Sequence, residues 1–180
     1  MKILKILVLV IILGLVVGGG YYFLTQPQQT APAVTTLPAG WVKFTDEAGV
    51  YTFNYPATLP TTYIKAQEWP PQVDLLEDSA IDCNPESAPT AHAGVIEAKV
   101  IKGQKYCTTA QSEGAAGSTY TDYAYLTVVN KRVVRLTFTL RQPQCDNYDE
   151  PQRGSCKAEQ ANFDLDALVG QIVASLHFAP

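Results

Sequence analysis

Two alternating runs meet at Asn130-Lys131, and they form the clearest pattern in the chain. Tyr120–Val129 and Arg132–Arg141 place apolar side chains at alternate positions, the period of a strand with one buried face. Asn tolerates a positive φ, so Asn130-Lys131 reads as a two-residue hairpin turn. Pairing across it sets Tyr125 opposite Leu136 and Tyr123 opposite Phe138. One face then carries Tyr123, Tyr125, Val134, Leu136, Phe138 and Leu140. The other carries Asp122, Arg135, Thr137, Thr139 and Arg141. The two alternations agree in register, which predicts an antiparallel pair.

Further strands follow the same logic. Trp41–Thr45 and Val50–Tyr55 flank a turn at Asp46–Gly49, and Pro56 ends the second. Thr61–Ile64 and Val73–Leu76 are shorter candidates. Residues 77–93 read as a loop. Val95–Ile101 and Lys105–Thr109 flank a turn at Lys102-Gly103-Gln104. Gln111–Ser118, rich in small and polar residues, reads as a flexible connection. The period changes at the end of the chain. Asp164 can cap a helix in which Leu165, Leu168, Val169, Ile172, Val173 and Leu176 share one face. Phe178 is a candidate short edge strand. The expected fold class is α+β: an antiparallel sheet covered by helices.

The N-terminus has no polar period at all. Lys2 and Lys5 precede an uncharged apolar run from Ile6 to Leu24. As a helix this run spans roughly 29 Å, close to the thickness of a bilayer core. The lysines predict a cytoplasmic N-terminus, and Tyr21, Tyr22 and Phe23 suit the outer interface. Residues 1–24 therefore read as a single transmembrane signal anchor. The competing reading is a signal peptide cut before Tyr21. Residues 25–40, with three prolines and no charge, read as an extended tether. Residues 41–180 read as one extracytoplasmic domain at the cell membrane.

Charge and cysteines sharpen that picture. The formal charge is −4, and no basic stripe is present, so nucleic acid is not an expected partner. Cys83, Cys107, Cys145 and Cys156 all follow the anchor. An even number in an oxidising compartment predicts two disulfides. The pairing expected is Cys145–Cys156, across a short loop of turn formers, with Cys83–Cys107. A zinc site would need a Cys-x-x-Cys pair or a usefully spaced histidine, and neither is present.

Catalytic signatures are sparse. His92 falls in a loop, and His177 reads as a partner for the C-terminal dipole of the last helix. Ser118 follows Gly117 without a nucleophile elbow. Gly114–Ser118 resembles an anion nest but lacks the lysine of a phosphate-binding loop. It reads as a tight, bulged connection. Asp146, Asp149 and Glu150 offer oxygen ligands of the kind calcium takes, without an EF-hand spacing, and read first as a solvated loop. Tyr106, Glu113, Tyr120 and Tyr148 are the candidate binding surface, since exposed tyrosines favour interfaces. No cofactor is expected. The expected function is a non-catalytic, membrane-tethered binding module for an envelope protein, glycan or lipid. Alternatives are an inhibitor or structural envelope protein presenting the Cys145–Cys156 loop, and an enzyme of unrecognised type.

The opening W-x-x-F-T-D-x-x-G-V-Y-T-F-N-Y-P and the closing I-V-A-S-L-H-F resemble the two ends of PsbP/Mog1-like domains. Where that pattern has a Trp shortly after Tyr-Pro, this chain has Leu59. The middle, from Tyr106-Cys107 to Cys145, is similar to short anchored proteins of bacteria with reduced genomes. The resemblance implies an antiparallel sheet with helices against it, carried behind an anchor in the bacterial envelope. It implies fold rather than function.

Overall fold

Three two-residue turns organise the larger of the two sheets that the described residues form. Lys102-Gly103, Ala116-Gly117 and Asn130-Lys131 all have positive φ at both positions, the conformation whose twist matches paired strands. They link β5 (Val95–Ile101), β6 (Gln104–Ala115), β7 (Ser118–Val129) and β8 (Arg132–Pro143) into an antiparallel meander. The computed structural model describes residues 37–78, 80–83 and 95–179. The proposed anchor, most of the tether, His92 and much of the 77–93 loop lie outside them.

The register of β7 with β8 is the one the alternation predicts: Tyr125 faces Leu136, and Tyr123 faces Phe138. Tyr125, Val134, Leu136, Phe138 and Leu140 are buried, while Asp122 on the other face is exposed. β3 (Lys65–Ala66) and β4 (Gln72–Leu76) both pair with β8 and complete this sheet. A smaller sheet holds β1 (Trp41–Thr45), β2 (Tyr51–Pro56) and β9 (His177–Phe178), in the order β1-β2-β9. The compact unit begins at Leu37. Gly40 O accepts from Ala57 N at 2.9 Å, which fixes the entry of the chain.

Two helices follow the meander: α1 (Gln152–Asn162) and α2 (Leu165–Ala174). Asp164 caps α2, its Oδ1 accepting from Ala167 N at 2.8 Å. Leu168, Val169, Ile172, Val173 and Leu176 join Phe53, Tyr106, Tyr125, Leu136 and Phe138 in one core. Aromatic contacts cross between the sheets: Tyr55 meets Trp69 at 6.2 Å, and Trp69 meets Phe138 at 6.0 Å, both edge to face. Asn54 N donates to Ser175 Oγ at 2.8 Å and ties the small sheet to the end of α2. Among the described residues the fold is α+β, mostly antiparallel sheet with two helices.

Both expected disulfides are present, Cys83–Cys107 and Cys145–Cys156. The first pins the segment after β4 to β6. The second joins a 3-10 turn, Cys145–Asn147, to α1.

Several expectations change. Thr61–Ile64 is not a strand, because the N–H groups of Thr62, Tyr63 and Ile64 all donate to the Glu159 carboxylate. Strand pairing begins at Lys65. Gln111–Ala115 is strand rather than flexible connection, paired residue by residue with Ser118–Asp122. The Gly114–Ser118 stretch is a regular turn without a bulge. Asn147 stands over it, and a Cβ at Gly117 would lie 2.7 Å from Asn147 Nδ2. The turn near residue 103 needs only Lys102 and Gly103, since Gln104 already pairs with Ile101. His177 does not end a helix: it pairs with Thr52 in β9.

Candidate functional site

The chain turns at Ala39-Gly40 into Trp41, and β2 leaves through Pro56 towards Pro60. Those two segments face the junction of α1 and α2. Between them lies a cleft of about 620 Å³, within the size range of small-ligand sites. Trp41, Pro56, Pro60, Phe163 and Leu168 supply apolar wall. Trp41 and Phe163 are half-buried and packed against the core, so the wall is held by the fold. Thr58, Thr61, Asn162 and Gln171 supply hydroxyls and amides around it.

Two carboxylates border the cleft, and both are already engaged. Glu159 Oε2 accepts from Thr62 N at 2.6 Å, and its Oε1 accepts from Tyr63 N at 2.7 Å and Ile64 N at 2.8 Å. Burial pushes this carboxyl up, but the three N–H donors and nearby Lys65 outweigh it and hold the group below its usual value. Such a carboxylate stays ionised and is poorly suited to be a general acid near neutral pH. Asp164 is occupied as the cap of α2. The lining thus offers apolar surface and neutral hydrogen-bonding groups beside a fixed negative charge, which disfavours anionic ligands.

A second polar cluster sits where α2 meets β5 and β7. Tyr125 Oη donates to Asp166 Oδ1 at 2.8 Å, and Lys99 Nζ bonds Asp166 Oδ2 at 3.1 Å. Burial lowers the Lys99 pKa, but Asp166 and Glu97 outweigh it, and the net shift is upward. Lys99 is therefore a firm cation, the opposite of a nucleophilic amine. Burial, with Asp166 adding to it, pushes the Tyr125 phenol up. The cluster clamps a helix to a sheet.

The four residues of the expected binding surface do not form one patch. Tyr106 is 1% exposed and belongs to the core, where burial pushes its phenol up to about 12. That is a correction: in register it points with Thr127 to the covered face of the sheet. Glu113 and Tyr120 are cross-strand partners on the open face, in a row with Arg141 and Lys65. Tyr148 lies elsewhere, edge to face with Tyr63 at 5.5 Å. His177 does not approach Glu113 and Tyr120. It lines the same surface hollow as Asn130, and Asn130 is ten residues of strand from Tyr120, or roughly 30 Å. In the acidic loop, Asp146 pairs with Lys157 at 2.6 Å, and Glu150 pairs with Arg153 at 2.8 Å. Both carboxyls are lowered by these basic partners. Among the described residues no group of His, Cys, Asp and Glu is arranged to hold a metal ion.

The cleft at Trp41 was not foreseen, because its walls come from three separated segments, 39–41, 56–61 and 159–171. The signal that could have found it was the isolated Trp41 at the domain start, followed by prolines at 56 and 60. No family model, curated protein or solved structure matches this chain.

Proposed function

We propose that this chain is a non-catalytic, membrane-anchored extracytoplasmic binding module whose ligand occupies the Trp41 cleft. The observation that carries this reading is the cleft itself: rigid aromatic and proline wall, ringed by neutral amides and hydroxyls, with its carboxylates already committed. That chemistry suits an uncharged oligosaccharide, which offers apolar C–H faces to an indole and hydroxyls to Asn162 and Gln171. An anionic lipid headgroup would meet Glu159 and Asp164.

The location rests on the sequence. Lys2 and Lys5 before the Ile6–Leu24 run support an anchor with its N-terminus inside. Two disulfides that use all four cysteines fit an oxidising compartment. The PsbP/Mog1-like assignment rests on the opening and closing motifs, and a sheet with helices against it is compatible with it. Presentation of the Cys145–Cys156 loop has less support, since both half-cystines are buried and the span is largely helical.

The test is binding of the full chain, in detergent, to hexasaccharides of glucose, mannose and N-acetylglucosamine. Binding to at least one is expected, lost in Trp41→Ala and kept in Tyr120→Ala. Binding to none, or binding unchanged in Trp41→Ala, would reject the cleft as the site.

A further inference from the structure

A strand at the margin of a sheet leaves half of its backbone groups unpaired. β5 is such a strand. It pairs with β6 over seven consecutive positions and, among the described residues, with nothing on its other side. It has no proline and no bulge. Val100 on it is 74% exposed, and Ala98 is exposed as well.

The Lys102-Gly103 turn decides which backbone groups point outward. A two-residue turn closes on a pair that exchanges both hydrogen bonds, and such pairs recur at every second residue. Here the closing pair is Ile101 with Gln104, so Lys99 and Glu97 also bond to β6. Ile96, Ala98 and Val100 therefore direct their N–H and C=O groups away from the sheet.

The sequence around Ala98 is symmetric in character: Ile96-Glu97-Ala98-Lys99-Val100. We propose that β5 docks on β5 of a second copy of this chain, antiparallel, about a two-fold axis at Ala98. In that register Ile96 meets Val100 of the second copy and Ala98 meets Ala98. All of them are outward-bonding residues, which gives roughly six backbone hydrogen bonds. Glu97 falls opposite Lys99 of the second copy, twice over. These are the non-hydrogen-bonded positions, where side chains stand closest and opposite charges stabilise the pair.

Charge fixes the register. Moving to the adjacent two-fold centres that keep outward groups facing outward groups puts Glu97 opposite Glu97, or Lys99 opposite Lys99. A lone lysine on an edge strand guards against self-pairing, but Glu97 two residues away converts that guard into a match. Within one chain Lys99 reaches Glu97 at 3.6 Å, and the Glu97 side chain is 63% exposed, open to a second lysine. The Lys99–Asp166 contact at 3.1 Å holds the ammonium in place for it. Val100 and Ile96 cover each other on the open face of what becomes a continuous sheet.

The experiment is the mass of the full chain in detergent, by sedimentation equilibrium with the detergent contribution matched out. A dimer is expected. Glu97→Lys should be a monomer, as should Lys99→Glu, and an equimolar mixture of the two should recover a dimer containing one of each. Ala98→Pro removes an outward donor and keeps the bonds to β6, so it should melt near the parent and sediment as a monomer. It also serves if Lys99→Glu, deprived of its Asp166 contact, fails to fold. A monomeric parent, or a dimer that survives both Glu97→Lys and Ala98→Pro, would overturn the proposal. Failure of the mixture to recover a dimer, with both variants folded, would overturn the register.

Discussion

Tyr125 and Asp166 share a 2.8 Å hydrogen bond that joins the middle of β7 to the first turn of α2. The phenol is buried and the carboxylate is partly exposed, with Lys99 on its other oxygen. A hydrogen bond to a charged group contributes about 1.5–3 kcal/mol. Asp166→Ala should therefore lower stability by about that amount in chemical denaturation. Asp164→Ala should cost about 1 kcal/mol through loss of the cap. An Asp166→Ala variant as stable as the parent would show that the clamp does not hold the helix.

The apolar stripe of α2 should carry more than the clamp. Ile172 is 1% exposed in the core, while Gln171 is exposed at the cleft. Ile172→Ala should cost about 2–5 kcal/mol, and Gln171→Ala less than about 0.5 kcal/mol. Equal losses in thermal melts would mean that this face of the helix is not packed on the sheet.

Gly170 gives a sharper test of that packing. A Cβ there would lie 2.8 Å from Ile101 Cγ2, and Ile101 is itself buried and branched. Gly170→Ala gains helix propensity, worth about 1 kcal/mol, yet should be destabilising because overpacking costs about 1–3 kcal/mol. A combined Gly170→Ala, Ile101→Val variant keeps the clash, since Val retains that branch position. Ile101→Ala in the same background should relieve it. A stabilised single variant would place α2 farther from β5 than described.

Stability should fall at both ends of the pH scale, for different groups. The Glu159 carboxyl is held below its ordinary 4.5, so its contribution is complete above that value and is lost as pH falls through the lower folded value. Glu159→Gln should flatten the acid limb. Tyr106 is raised from 10.0 to about 12, so its contribution is complete below 10.0 and is lost as pH rises towards 12. Tyr106→Phe should flatten the alkaline limb. Urea midpoints across pH 3–12 read both effects, and unchanged limbs in both variants would contradict these environments.

Much of this architecture was legible where local pattern and tertiary packing agree. The β7–β8 register followed from two alternations, and α2 followed from its stripe and the Asp164 cap. Gln111–Ala115 was not legible, because its residues are small and polar and become strand through pairing with β7 rather than by their own propensity. α1 was missed for a related reason. Its sequence, QRGSCKAEQAN, has no apolar stripe and buries only Cys156. The disulfide, the Glu159 cradle and the Gln160 bond to Pro143 O at 2.8 Å hold it in place. Tyr106 looked like surface because strand period alone does not say which face is covered. The cleft needed the third dimension, since residues 39–41 and 159–171 meet only in the fold.

The cleft as the binding site is tested most directly by hydrogen–deuterium exchange of the full chain, with and without the best-binding hexasaccharide. Protection is expected together in residues 39–41, 57–61 and 161–168, and absent from β5 and from the Glu113–Tyr120 pairing. Protection confined to the open sheet face, or spread evenly over the chain, would contradict a ligand seated against Trp41.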